Sequence, residues 1–497
     1  MFRSFRALLK PTTAVATLLV APAAHAATYQ VGPDKEYASL DEVIGLLAPG
    51  DVVEVDGGAT YGGDLHIRPE NSGTPDSKIT IRGIRVNGQR PIIEGGAEYG
   101  VVLHASHFVF EGFEVTGASS ACLIHKADDV TIRDVVVHDC PNHGILGTDF
   151  ESGSLTIEYS EFYGNGQGEY EHQIYIATDE TMYPGSVFRL QHSYVHDGNG
   201  GNNVKTRAER NEIYCNWIEN PAYHVIDLVP PDGQDPSLAR EDADVVGNVL
   251  IQPGQWYISR MGSDKEEYGT DGRFRFAYNT IVSNSNASAF FRLQWGIESA
   301  SFYDNVFMTS DGGSLELVNG DDAWWTSGEQ LTGKANFVAA GLESPGSFEG
   351  SVTGGDPGFV DGYIPGDGSA LLNLGVEGAG PSGFEVPNAW SVPNCVPPNG
   401  TKNEAMEPFG RPVDGVPDLG AFELGTTFEP GPGPGPGPGT DDDGNGDGDG
   451  DGNGGGSSDG GDDDDGCNAG SSSHAPRGGL IALVALAGFV ALRRRRP

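Results

Sequence analysis

Eight segments of the chain repeat one pattern of apolar and polar positions, among them Phe108-Val-Phe-Glu-Gly-Phe-Glu-Val, Val130-Thr-Ile-Arg-Asp-Val-Val-Val and Phe274-Arg-Phe-Ala-Tyr-Asn-Thr-Ile. Each holds two short alternating arms, which predict β-strands with one face inward, joined by a polar kink. The kink residues Gly112, Asp134, Ser160, Ser193, Asn216, Asn248, Asn279 and Asn305 recur every 22 to 33 residues. Such a recurrence predicts stacked coils whose turns absorb the differences in length, nine or more in all. Asparagine at the kink suits a left-handed bend, and asparagines stacked from coil to coil can hydrogen-bond along the axis.

A further short strand follows about 10 to 14 residues after several kinks: His143-Gly-Ile-Leu, His172-Gln-Ile-Tyr-Ile, Asn202-Asn-Val-Lys-Thr-Arg, His224-Val-Ile-Asp-Leu and Trp256-Tyr-Ile-Ser-Arg. Because strand side chains alternate faces, Ile145, Ile174, Val204, Ile226 and Ile258 are expected inward, and Leu146, Tyr175, Lys205, Asp227 and Ser259 outward. Arg207 faces the same way as Lys205, and His143, His172, Asn202 and His224 form a second column where the strands start. Residues 29–82 read as an N-terminal cap with one amphipathic helix over Ser39 to Leu47, since an open coil end would expose sheet edges. Past Asn336 the repeat becomes ragged, and residues 356–361 and 410–423 read as closing loops. A propeller or sandwich would need tight Asn-Gly or Asp-Gly hairpins at regular places, and few are present. The expected fold class is therefore all-β: a single-stranded right-handed parallel β-helix (solenoid).

Both ends depart from this pattern. Residues 1–26 have the layout of a signal peptide: Arg3, Arg6 and Lys10, an apolar run from Ala14 to Ala21, and the small-residue site Ala24-His25-Ala26. Residues 27–425 form the β-helix domain. Residues 426–466, alternating Pro and Gly and then rich in Asp and Gly, cannot bury a core and are expected to be a disordered stalk. Residues 467–497 hold Cys467, an apolar segment from Gly478 to Leu492, and Arg493 to Arg496. Such a segment just spans or dips into a bilayer with its arginines cytoplasmic, so membrane contact is expected through the tail only. The order of Gly466-Cys467, Ser-rich spacer, short hydrophobic helix and arginine cluster resembles the C-terminal sorting tails of myxobacterial surface proteins. That resemblance implies processing near the cysteine and display at the cell surface or outer membrane.

The chain carries a formal charge of −42, and residues 27–425 alone hold 21 Lys and Arg against 59 Asp and Glu. This field repels nucleic acid, and an acidic substrate has to be met by a local basic patch or by bridging cations. The run Lys205, Arg207, Arg210 stands out from that background. Of the five cysteines, Cys122 and Cys140 can pair if their coils bring them together, Cys215 reads as buried and free, and Cys395 as loop-borne. A monomer is expected.

β-Elimination of a polyuronate needs a base for the C5 proton, a cation for the carboxylate-derived enolate and an acid for the leaving oxygen. Lys205 fits the base, activated by Arg207; Arg207 fits the carboxylate; Tyr175 or His172 fits the acid. Arg210, His224 and Asn203 are candidate substrate-binding residues, and Asp227 either holds Lys205 or binds Ca²⁺. The structural alternative is that Lys205 and Asp227 form an ordinary cross-strand pair and the histidines cap strands. From Ala48-Pro-Gly-Asp-Val-Val to Gly420-Ala-Phe-Glu the chain resembles the pectate-lyase-like superfamily of right-handed β-helices. Val204-Lys205-Thr206-Arg207 is similar to the Val-Lys-Ser segment around the catalytic lysine of β-helix alginate and chondroitin lyases. Those families place acidic metal ligands before the lysine and an arginine on the next coil; here Gly198 to Asn203 precede it, and His224 and Asp227 follow. The resemblance implies a surface lyase for an acidic, uronate-containing polysaccharide. A non-catalytic glycan-binding or adhesin-like protein is the alternative, and a glycoside hydrolase the third reading.

Overall fold

Alternating apolar residues pair into three stacks of parallel strands. Sheet A has 13 strands, from Thr28–Val31 through Val52–Asp56 and Ile79–Ile84 to Phe348–Glu349; sheet B has 12, from Thr60–Gly62 to Val352–Gly354; sheet C has 10, from Leu65–Ile67 to Val318–Asn319. Each coil visits A, B and C in turn, and strands of successive coils pair in parallel, as Val130↔Leu155, Val137↔Phe162 and Ile145↔Ile174 show. This is the expected right-handed parallel β-helix. The computed structural model describes residues 26–231, 241–263, 265, 268–269, 271–320, 325–376 and 392–428. Most of the expected signal peptide, nearly all of the stalk and the whole tail lie outside them.

Inward residues form one continuous core from Val31 to Val338. In its last coils phenylalanine fills the section, with ring centroids 5.4 Å apart for Phe276 and Phe302 and 4.7 Å for Phe291 and Phe302. Residues 29–82 hold less cap and more solenoid than expected, since their strands are already rungs of all three sheets. The helix shrinks to one turn, Asp41–Ile44, stopped at Gly45, and covers the end with Val43 and Ile44.

At the corner between A and B the expected kink residues Gly112 and Asp134 are themselves left-handed, but from the next coil on the left-handed residue is the one before the expected serine or asparagine: Tyr159, His192, Cys215, Gly247, Tyr278 and Asp304 have φ between 50° and 69°, as has Ala335 before Asn336. The left-handed bend thus turns Ser160, Ser193, Asn216, Asn248, Asn279, Asn305 and Asn336 inward, where each is fully buried. There they form a ladder. Asn279 Oδ1 accepts from the Asn248 backbone N–H (2.9 Å) and from Asn248 Nδ2 (3.0 Å), while its own Nδ2 donates to Asn305 Oδ1 (2.9 Å) and the Val245 carbonyl (2.8 Å). The same contacts repeat from Asn216 to Asn336.

Residues 392–428 lie along this corner as a strap that reaches from the Cys215 coil back to the Asp134 coil and then returns towards the last coils. Lys402 pairs with Asp134, Arg411 lies over the Tyr278 ring (4.9 Å), and the Gly420 N–H donates to the Asp304 carbonyl (2.8 Å). Cys215 is not free: it is bonded to Cys395, across 180 residues of chain, because its bend position presents the side chain to the strap and not to the core. Cys122 and Cys140 also form a disulfide.

Asn279→Ala leaves a buried N–H and a buried carbonyl without their side-chain partners. We expect a loss of about 2–4 kcal/mol in chemical denaturation, with Asn279→Ser losing less.

Candidate functional site on the outer face of sheet C

Strand pairing on sheet C lines up Leu146, Tyr175, Lys205, Asp227, Arg260, Arg292 and Asn319 as one outward column along the axis, with rungs about 4.8 Å apart. The first four are as expected. The fifth is Arg260, since Ser259 pairs with Ile226 and points inward, fully buried. The slip has a local cause: the residue before each strand also faces inward as the chain turns the corner, so Ile258 stacks on Val225 and not on Ile226. Its carbonyl accordingly accepts the Ile226 N–H. Arg260 is the site residue that the stacking of isoleucines missed.

The same corner accounts for Asn203. It is fully buried, with Nδ2 donating to the Glu219 carbonyl (2.6 Å) and Oδ1 accepting from Gln173 Nε2 (3.3 Å), so it sits inside the coil and not on a substrate face. The column of strand-start residues is a second ladder. His143 Nδ1 accepts the His172 N–H (3.0 Å), His172 Nδ1 the Asn202 N–H (2.9 Å), Asn202 Oδ1 the His224 N–H (3.0 Å) and His224 Nδ1 the Tyr257 N–H (3.2 Å). An Nδ1 that accepts requires the neutral ring. Burial, with Lys205 nearby, pushes His172 down to about 2, and burial lowers His143 and His224 to about 4. His172 is therefore no imidazolium acid, and His224 is a strand cap.

Lys205 lies over the Tyr175 ring, 5.1 Å from its centroid. Arg207, two residues further along the same strand, donates from Nε to Tyr175 Oη (2.8 Å) and from Nη1 to the Pro230 carbonyl. Its guanidinium is thus turned to Tyr175. Arg210 does not belong to this face. It starts the sheet A strand Arg210–Tyr214 and is held there by Asp244 and Glu212.

Asp227 is fully buried, and both oxygens are engaged: Oδ1 accepts from Arg260 Nε (2.8 Å), Oδ2 from Arg260 Nη2 (2.7 Å) and Asn202 Nδ2 (3.0 Å). Arg260 and Lys205 hold its carboxyl well below the usual range against the cost of burial. Calcium takes six to eight oxygens. Around Asp227 the outward neighbours are Lys205 and Arg260, a donor set that does not fit Ca²⁺. Among the described residues the one cluster with metal-binding geometry is His192, Cys215 and Cys395, and both of its sulfurs are in the disulfide.

No family model and no curated protein matches the chain. Among solved structures it is similar to pectate lyase Pel9A (14% identity, TM-score 0.42, over 80% of this chain and 96% of that one). It is also similar to an alginate lyase from Paenibacillus sp. str. FPU-7 (17%, 0.40, 66% and 98%) and to a GH136 lacto-N-biosidase from Eubacterium ramulus (12%, 0.35, 61% and 68%). The likeness is one of fold alone. Any reaction has to be read from the side chains.

Those side chains set sheet C apart. On sheet A the arginines meet carboxylates: Arg82 with Glu111, Arg133 with Glu158, Arg189 with Glu212, Arg273 with Asp242, Arg275 with Asp244. On sheet C three cations, Lys205, Arg260 and Arg292, stand in line with one carboxylate. Two more acids lie at the C-to-A turn near Arg207. Burial and neighbouring Glu209 push Glu180 up to about 8, and burial pushes Glu241 well above the carboxylate range. Both are buried and unable to meet a polymer.

Asp227→Ala strands Arg260 and Asn202, and we expect a loss of about 3–5 kcal/mol in chemical denaturation. The buried histidines carry a pH dependence. For His125, His143, His192 and His224, lowered to about 4, and His172, lower still, the unfolded value is about 6.5. Between the two values the unfolded chain binds a proton that the folded one does not, so stability falls as pH drops from 6.5 towards 4, by up to about 1.4 kcal/mol per pH unit for each ring. Glu180 and Glu241, raised in the fold, act in the opposite sense. The check is therefore the change of denaturation midpoint between pH 7 and 5 in wild type against His125→Gln: the variant is expected to lose less stability on acidification, and equal changes would contradict the histidine contribution.

Proposed function

We propose that the chain is a surface polysaccharide lyase that cleaves a uronate-containing glycan by β-elimination on the outer face of sheet C. The observation that carries this reading is the Tyr175–Lys205–Arg260–Arg292 column: a base-capable amine beside a phenol, followed by guanidinium groups, in a strongly acidic chain. A polyanion laid along the axis meets its attraction there.

In this reading Lys205, as the free amine, takes the C5 proton. The electron pair forms the C4–C5 double bond, the C4–O bond breaks, and the Tyr175 hydroxyl protonates the departing oxygen. Tyr175 and Lys205 project from neighbouring rungs, so both reach one sugar. Arg207 acts through Tyr175 by donating to its oxygen, which makes it a positioning residue. In the same reading the signal peptide and sorting tail expected from the sequence carry this activity outside the cell, on the stalk.

A protein that binds the glycan without cutting it is the second reading, favoured by the cation–π contact in which the Tyr175 ring holds the Lys205 ammonium. A hydrolase finds less support, because Glu180 and Glu241 are both buried.

The full chain incubated with pectate, alginate and glycosaminoglycans is expected to generate ultraviolet absorbance from the unsaturated product on at least one polymer. Lys205→Ala and Tyr175→Phe are each expected to cut the rate by roughly a hundredfold or more, with unfolding midpoints near wild type. Binding without new absorbance on any polyuronate would make this a glycan-binding protein, and new reducing ends without absorbance a hydrolase.

A further inference from the structure

Arg260 and Arg292 occupy adjacent rungs of the outward column, with their strands paired residue to residue. Like charges directly opposite each other on neighbouring strands repel. One of them is accounted for: Arg260 spends Nε and Nη2 on the buried Asp227. Arg292 has no carboxylate within ion-pair distance among the described residues and is held over the Tyr257 ring, 6.0 Å from its centroid. Both arginines are half-buried, so each is partly desolvated. In a chain with 71 acidic residues to choose from, a fixed guanidinium without an acidic partner beside a second guanidinium marks a place where an anion is brought in from outside.

The wall around this pair is apt for sugar. Tyr223 and Trp256 stack at 4.6 Å at the neighbouring corner, both half-exposed, and Tyr257 lies under Arg292. One pyranose residue advances an extended glycan by about one rung, so a chain whose reacting sugar lies at Lys205 passes one sugar over the Asp227 rung and carries the second and third over Arg260 and Arg292.

We propose that Arg260 and Arg292 form a subsite that grips uronate carboxylates directly and without a divalent cation, two and three rungs from Lys205 towards the C-terminal coils. This rests on the reading of sheet C as a polyuronate-binding face. Asp227 holds Arg260 in place from beneath, and its carboxylate is consumed in doing so; the guanidinium groups take the charge-neutralising part that a bridging cation would otherwise play.

The test is calorimetric titration of the full chain with oligogalacturonate and oligomannuronate, in EDTA and in CaCl₂, alongside the cleavage assay. At least one oligomer is expected to bind within about twofold as tightly in EDTA as in CaCl₂, while its methyl-esterified form does not bind. Arg292→Ala is expected to weaken binding by about tenfold or more and Arg292→Lys to recover part of it, with unfolding midpoints near wild type, since among the described residues the side chain meets no carboxylate. Binding or cleavage that vanishes in EDTA and returns with CaCl₂ would overturn the subsite and leave the lyase reading standing. Unchanged affinity in Arg292→Ala would do the same. Silence of every polyuronate in both buffers would remove the subsite and the lyase reading together.

Discussion

The structure depends on a buried column of amide and hydroxyl side chains at the corner between sheets A and B. A parallel coil that slips by one residue exchanges its inner and outer faces, which apolar burial forbids, but a slip of two residues keeps both faces, and apolar contact alone discriminates weakly against it. A buried asparagine discriminates strongly, because its donors and acceptor are met only when the next asparagine lies directly above. The ladder therefore fixes which residue of each coil stands over which. Every outward column, including the cationic one, inherits that alignment.

The opposite corner repeats the device with different chemistry. Imidazole Nδ1 atoms of His143, His172 and His224, with Asn202 between them, each accept the N–H of the following coil. Asn202 also donates to Asp227, and Asp227 fixes Arg260. The geometry of the charged face is thus continuous with the scaffold. A side chain that looks catalytic by type, such as His172, is scaffold by position.

The solenoid, its strands and the asparagine ladder were legible in the sequence because they rest on local alternation and on a recurring polar kink. What was not legible depended on where the chain turns. The inward residue before each sheet C strand hid the true partner of Asp227, and it took Asn203 into the interior. Arg210 lies three residues after Arg207, yet the chain rounds a corner between them, and sequence adjacency gave no sign of it. The bond between Cys215 and Cys395 joins distant coils by a strap with no repeat of its own, so no periodicity announces it. Lys205, Tyr175 and Arg207 were placed together because all three fall within regular strand.

The strap has a mechanical consequence. A solenoid held only by neighbour-to-neighbour contacts unravels from its last coil when pulled there. Here residues 392–428 pass from the Cys215 coil to the Asp134 coil and return over the Tyr278 and Asp304 coils, and they are covalently fastened to the Cys215 coil. Tension on that end is delivered sideways across several coils and through a sulfur–sulfur bond into the middle of the stack. The terminal coils are thereby spared the peeling force.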